Sequence, residues 1–337
     1  MKEAKYYEKI EDKKVKCNLC RHHCQISEEK KGICGVRKNI NGVLYSLVYE
    51  RVIAKNIDPI EKKPLFHFLP ATKSYSIATV GCNFRCLHCQ NYEISQMPRE
   101  EDTIMGSIIS AEEIVNSALY YDCKSISYTY TEPTIYYEFA YDVSVLAKEK
   151  GLKNVFVTNG YIEKEPLEDI SPYLDGANVD LKGFTEYFYK KICGATLKGV
   201  LDSLINYKRL GIWLEITTLI IPGYNDKEDE LKGIAKFIKE NLGIDTPWHV
   251  TAFYPTYKLT SASPTPVKTL KKAREIGLSE GLNYVYTGNI PGEEGESTFC
   301  PSCKKKIIER IGFRIAKNDI IDGKCKFCNK EIAGIWS

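Results

Sequence analysis

At 337 residues, with 43% hydrophobic and 27% charged positions and a net charge of +3, the chain can bury one large core and carry small appendages. No apolar run approaches the ~18 residues of a membrane span, and the polar start Met1-Lys-Glu-Ala-Lys5 is no signal peptide. Membrane insertion and secretion are therefore excluded as expectations, a cytoplasmic protein is predicted, and thirteen cysteines in that setting predict metal sites rather than disulfides.

Residues 1–72 are read as a small Cys-rich module. They hold Cys17-x2-Cys20-x3-Cys24-x9-Cys34, four thiols in a short polar stretch. Four ligands close a tetrahedral zinc site, and four cysteines serve an iron–sulfur cluster equally well. His22 and His23 lie between them and are expected to be solvated or to support the ligands. The module carries 15 Lys and Arg against 9 Asp and Glu.

Residues 73–291 alternate apolar runs with amphipathic stretches, the signature of repeated βα units. The first strand, 75–80, runs into Gly81-Cys-Asn-Phe-Arg-Cys-Leu-His-Cys89. A capping box at Ser110 and Glu113 opens a helix to about Tyr121. Strand 125–129, helix 134–150 and strand 154–158 follow, with Gly151 closing the helix. Next come helix 164–174, strand 177–180, helix 200–210 stopped by Gly211, and strand 213–220. Helix 227–242, strand 248–253, helix 267–280 and a short strand 283–286 complete the pattern. Six βα units and a seventh strand predict an α/β fold, a partial or complete TIM-type (βα) barrel. In such a barrel chemistry collects on the loops at the C-terminal ends of the strands.

Cys82, Cys86 and Cys89 occupy the first of those loops. Three thiolates there can hold three corners of a four-iron, four-sulfur cube and leave the fourth iron open to a ligand. A three-ligand zinc site or a partial ferredoxin motif is the plainer alternative. Later strand ends supply Thr131-Glu-Pro133, Thr158-Asn-Gly160, Asp180-Leu-Lys182, His249 and Gly288-Asn289. Lys182 offers an ammonium to a carboxylate, and Asp180 can hold a hydroxyl or a cation. Tyr128, Tyr130, Tyr136 and Tyr137 cluster around the Glu132 loop. Cys123 is expected to be buried packing, and Cys193 can in principle face the site.

Residues 292–337 carry Cys300-x2-Cys303 and Cys325-x2-Cys328, paired knuckles that predict a zinc-ribbon-like module. Residues 300–337 carry 9 Lys and Arg against 4 Asp and Glu, which makes that stretch basic. Basic ends around an acidic body suit an anionic partner such as RNA or an acidic protein surface, or simply solubilise metal-bound modules. The ribbon itself either binds a partner or caps the barrel.

The C-x3-C-x2-C spacing, with His88 before its last cysteine, resembles the signature of radical S-adenosylmethionine (SAM) enzymes. The motif order through Ile221-Pro-Gly223 is similar to the activating-enzyme branch typified by the pyruvate formate-lyase activating enzyme. The whole chain resembles the AmmeMemoRadiSam group, on Cys17-Asn-Leu-Cys20, Tyr286-Thr-Gly-Asn-Ile-Pro-Gly292 and the C-terminal cysteine pairs. The resemblance implies a [4Fe–4S] cluster on Cys82, Cys86 and Cys89 and reductive cleavage of SAM. It implies SAM contacts from Glu132, Thr158, Asn159, Asp180, Lys182, His249 and Asn289, with Glu132 accepting from the amino group. It also implies a flavodoxin or ferredoxin-like electron donor and AMMECR-type and Memo-type partner proteins. The substrate, whether protein, RNA or small molecule, stays open. Val157 and Thr217 depart from the activase pattern, where an Asp and an Arg are usual, and put glycine activation in doubt. A metal-stabilised binding module is the alternative of another class.

Overall fold

The computed structural model describes every residue except 291 and 293, so the expected barrel end at 291 lies outside the described residues. Eight strands form the main sheet: β1 (Ala54–Pro59), β2 (Lys73–Ala78), β3 (Ser125–Tyr128), β4 (Lys153–Thr158), β5 (Gly176–Asp180), β6 (Trp213–Ile220), β7 (Trp248–Ala252) and β8 (Val285–Gly288). Their spatial order follows the chain from β8 back to β1, and β1 and β8 do not pair. The barrel is therefore partial. β2 to β8 are parallel, while β1 joins β2 antiparallel, with Asp58 opposite Ser74. β1 is the strand the sequence does not announce, because Lys55, Asn56 and Ile57 are all exposed and show no alternation. Pro59 at its end has no N–H to lose from a ladder.

Helices α1 (Ala111–Tyr120), α2 (Tyr137–Glu149), α3 (Lys164–Ile170), α4 (Leu197–Arg209), α5 (Glu228–Phe237) and α6 (Val267–Ser279) lie between successive strands. In α4 the buried Leu197, Val200, Leu204 and Tyr207 recur at helical spacing and make one apolar stripe. Strand β3 is buried at every position, as expected of a parallel strand covered on both faces. Both reciprocal bonds of the Ser110–Glu113 capping box form. Boundaries moved where local chemistry intervened. Pro133 starts a 3-10 turn ahead of α2. Capped by Thr196, whose side chain accepts from the Gly199 N–H, α4 begins three residues before the expected start. The last strand sits at Val285–Gly288 rather than 283–286.

Residues 60–69 plug the lumen at the N-terminal end of the strands. Asn178 donates to the Pro64 carbonyl at 2.7 Å, and Phe68 packs where a Cβ on Gly176 would come within 3.0 Å. The C-terminal tail pairs with this plug, Leu69 N–H donating to Ile335 O and Ile335 N–H to His67 O, both at 2.7 Å. The ribbon then packs on β8 through Phe66, Tyr284, Tyr286, Ile307 and Ile332. Plug and tail thus close one end of the sheet, while the C-terminal strand ends open at the other.

Candidate active site

The C-terminal strand ends surround one cavity of about 1060 Å³. Cys82, Cys86 and Cys89 line it from the loop after β2, together with all seven strand-end residues expected to contact a cofactor. The loop is rigidly held. Arg85 N–H donates to Cys193 O and Leu87 N–H to Ile192 O, both at 2.9 Å, while Arg99 donates to the carbonyls of Cys82 and Phe84. Gly81 has φ +103, and a Cβ there would lie 2.6 Å from Val36, so the loop passes tightly against the N-terminal module.

Each sulfur has its own polar neighbour. Cys82 Sγ accepts from the Phe84 N–H at 3.3 Å and the Asn159 amide at 3.7 Å. Cys89 Sγ lies 3.1 Å from Ser95 Oγ. Cys86 Sγ lies within 4.8 Å of both the fully buried Cys193 sulfur and His88. The three loop sulfurs are not themselves gathered within that distance among the described residues. Sulfurs on one tetrahedral zinc ion sit about 3.8 Å apart, given bonds of about 2.3 Å. Burial pushes the Cys82 and Cys89 thiols up, so only coordination would draw their protons off. His88 fits the same picture: it is buried, lines the cavity, and neither ring nitrogen has a partner. Burial, with Lys182 nearby, holds it neutral, its pKa down to about 3.

The remaining candidates fall in layers. Asp180, Thr217, His249 and Tyr286 are side-by-side neighbours across β5 to β8. Lys182 pairs with Asp180 at 2.7 Å; burial opposes its charge, but Asp180 and the Cys86 sulfur hold its pKa well above the ordinary value. Asn159 donates to Asn83 at 2.8 Å and so braces the loop beside Cys82. Asn289, at φ +60, donates to Ala252 O. Glu132 also braces its neighbours. Its carboxylate accepts three bonds at Oε1, from Thr134 N–H, Thr134 Oγ and Thr158 Oγ, and one at Oε2, from Asn159 N–H. Oε2 keeps an acceptor position. Glu132 thus ties the β3 loop to the end of β4 while lining the cavity.

Glu215 is the central residue that sequence reasoning missed. Fully buried on β6, it accepts from Phe66 N–H (3.0 Å), His67 N–H (2.8 Å), Trp213 Nε1 (3.1 Å) and His249 Nε2 (2.7 Å). It thus clamps the plug and orients a cavity residue. Only its charge inside a strand pattern could have marked it. Next to it, His67 Nδ1 donates to Ala333 O, which fixes the tautomer so that Nε2 accepts from the Tyr286 hydroxyl. Burial depresses His67 to about 4, and Glu215 is also lowered, burial opposing but His249 prevailing. Both groups bind protons more readily unfolded than folded. Stability is therefore expected to be whole above about pH 6.5, to erode toward pH 4 as unfolded His67 protonates, and to fall again as Glu215 protonates. Denaturant midpoints measured from pH 8 to pH 4 check this; a flat profile would contradict it. The ribbon also reaches the site, because the hairpin tip Ile311, Gly312 and Phe313 lines the same cavity. Arg310 fixes that tip, donating to Phe66 O at 2.8 Å and to Thr298 at 2.7 Å.

The outer cysteines differ from each other. In the ribbon, Cys300–Cys328 and Cys303–Cys325 sulfurs lie 3.6 and 3.8 Å apart, and all four are within 4.8 Å, a single tetrahedral ion's spacing. Cys17, Cys20, Cys24 and Cys34 line one cleft beside His22 but contain no such compact set among the described residues. His22 is half-buried, its Nε2 2.8 Å from Asn83 O. His23 stays exposed, 3.1 Å from Glu163. Cys123 packs in the core.

Among known proteins, the profile of the radical SAM superfamily matches residues 76–238. An uncharacterized protein of Methanocaldococcus jannaschii is 53% identical over 98% of this chain and 99% of its own. The pyruvate formate-lyase-activating enzyme of Clostridium pasteurianum is 26% identical over 53% of this chain and 76% of its own. Among solved structures, SuiB of Streptococcus suis bound to S-adenosylmethionine aligns with a TM-score of 0.52 at 14% identity, over 68% of this chain and 53% of that one. A radical SAM methyltransferase from Sphaerobacter thermophilus aligns at 0.50, also 14% identical, over 68% and 71%. No described helix is long and apolar enough to cross a membrane.

Proposed function

Because residues 76–238 match the radical SAM superfamily profile, we propose that this enzyme holds that family's [4Fe–4S] cluster on Cys82, Cys86 and Cys89 and binds SAM in the cavity beside them. Bound there, the pair supplies reductive cleavage of SAM to methionine and a 5′-deoxyadenosyl radical able to take hydrogen from a substrate. The observation that carries this reading is that all three loop cysteines line one strand-end cavity of about 1060 Å³ together with Asp180 and Lys182. Lys182, its charge maintained by Asp180, suits the SAM carboxylate. His88, Thr158, Asn159, His249 and Asn289 offer polar atoms around it, and Glu132 positions two of them. The walls of β2 to β8 keep bulk water from the reacting carbon. Anaerobically reconstituted protein with dithionite should form 5′-deoxyadenosine from SAM; a cluster-loaded sample that forms none would refute the reading.

Activation of a glycyl-radical partner is the weaker alternative, since Val157 and Thr217, rather than acidic and basic side chains, line the cavity. A flavodoxin or ferredoxin-like donor, and AMMECR-type and Memo-type partners, belong to the same proposal and rest on motif resemblance. The ribbon is assigned one zinc ion. So small a module has little core without its metal. Chelation is expected to speed amide exchange in the strands Lys306–Ile311 and Arg314–Asn318 while β3 to β6 stay protected. Unchanged exchange in a zinc-free sample would dismiss the assignment.

A further inference from the structure

Where the cysteine loop meets the turn after β5, three metal-ligating side chains converge, and the proposed cluster uses only one of them. The ligand atoms of Cys86, His88 and Cys193 lie within 4.8 Å of one another, and all three residues are buried. Cys193 ends a π-helical turn, Tyr189–Cys193, closed by Gly194 at φ +75. Single π turns are rare and gather at functional sites. Arg85 N–H donates to Cys193 O and Leu87 N–H to Ile192 O, both at 2.9 Å, which pins this turn to the loop on either side of Cys86. A Cβ on Gly194 would lie 2.6 Å from the Arg85 side chain, so the two segments meet this closely only with glycine there. The adjacent Cys193 thiol, with burial, pushes the Cys86 thiol up. His88 is the orphan of the set. Both its ring nitrogens are buried without a partner, and burial keeps the ring neutral, so it offers a free lone pair.

Two thiolates and a neutral imidazole balance the charge of a divalent ion, so the loaded set brings no net charge into the interior. Sulfur and nitrogen donors in this number suit tetrahedral zinc. Bonds of about 2.3 Å to sulfur and about 2.1 Å to nitrogen set the ligand atoms roughly 3.5–3.8 Å apart, a short closure for side chains already within 4.8 Å. We propose that Cys86, His88 and Cys193 bind one zinc ion whose fourth position opens to the cavity that Cys86 and His88 line. Both thiol protons leave to solvent as the ion enters. Cys86 cannot serve two sites at once, so zinc held here excludes the [4Fe–4S] cluster and the loop has two exclusive metal states. The zinc site stands on its own geometry, and only the exclusion rests on the function proposed above.

Full-length protein freed of iron and titrated anaerobically with zinc should bind one ion more than Cys193→Ser or His88→Phe protein, and as many as Cys82→Ala protein. Zinc bound elsewhere in the chain cancels in this comparison. The serine keeps the size of the thiol, and the phenylalanine keeps a ring beside Phe188. If Cys193→Ser does not fold, His88→Phe decides. Cobalt in place of zinc should lose thiolate charge-transfer absorption in the same two variants. An ion lost from Cys82→Ala but kept in the other two would place zinc on the three loop cysteines and overturn the proposal, as would equal counts in all four proteins. Zinc bound beforehand should block the iron uptake that depends on Cys82 in wild-type protein but not in Cys193→Ser, and unblocked uptake would remove the exclusion. No Cys82-dependent uptake with or without zinc would sink the cluster reading and leave the zinc site standing.

Discussion

Replacing Cys82 by alanine is expected to reduce 5′-deoxyadenosine formation to background. Two sulfurs, Cys86 and Cys89, do not hold a cube that needs three protein corners, and a site that relies on coordination to deprotonate buried thiols loses affinity steeply with each ligand. The effect should be local. The variant loses the Cys82 sulfur's contacts to Phe84 N–H and Asn159, but the loop backbone keeps its bonds to Arg99 and the 189–193 turn, so the fold should survive. Ser95→Ala makes the contrasting case. It removes the hydroxyl 3.1 Å from Cys89 but no ligand, so the cluster should assemble with a more negative midpoint potential. Chromatographic assay of deoxyadenosine and a redox titration followed by paramagnetic resonance read the two outcomes. A Cys82→Ala protein that cleaves SAM at the wild-type rate would dismiss the site.

Glu215→Ala should be the most destabilising single change outside the cysteines. The fully buried carboxylate accepts four hydrogen bonds, and its loss strands two backbone N–H groups, the Trp213 indole and His249. Breaking a buried, hydrogen-bonded charge costs about 3–5 kcal/mol. Glu215→Gln keeps the shape but turns an NH2 toward donors, so a smaller loss of roughly 1–3 kcal/mol is expected. Urea unfolding measures both. An alanine variant within about 1 kcal/mol of wild type, the net worth of one ordinary hydrogen bond, would mean that the plug is held by apolar packing alone.

The elements legible in the sequence were those whose signal is local. The Ser110–Glu113 box, the stripe on α4 and the apolar runs of β2 to β7 each read from a few neighbouring residues, and they stand within a few positions of expectation. The metal-ligand cysteines were legible for the same reason, since ligand spacing is written along a loop. β1 was not legible, because an exposed edge strand is defined by its partner β2 rather than by its own pattern. Nor was the part of Glu215, whose four donors come from residues 66, 67, 213 and 249. Nor was the reach of Ile311 and Phe313 into the cavity, which depends on Arg310 meeting Phe66 across 244 positions of chain.

Side-chain periodicity and ligand spacing alone were enough to call for a parallel βα array with a three-thiol loop at its first strand end, and for cysteine modules at both termini. Tertiary structure alone decided that the array stays open, that a plug and a ribbon finish its cavity, and that Glu132 braces Thr158 and Asn159. It also decided that the four ribbon sulfurs gather within 4.8 Å of one another. The physical reason is the same throughout: turn chemistry and periodicity act over a few residues, whereas acceptor saturation and sulfur-to-sulfur distance arise only once distant segments share one volume.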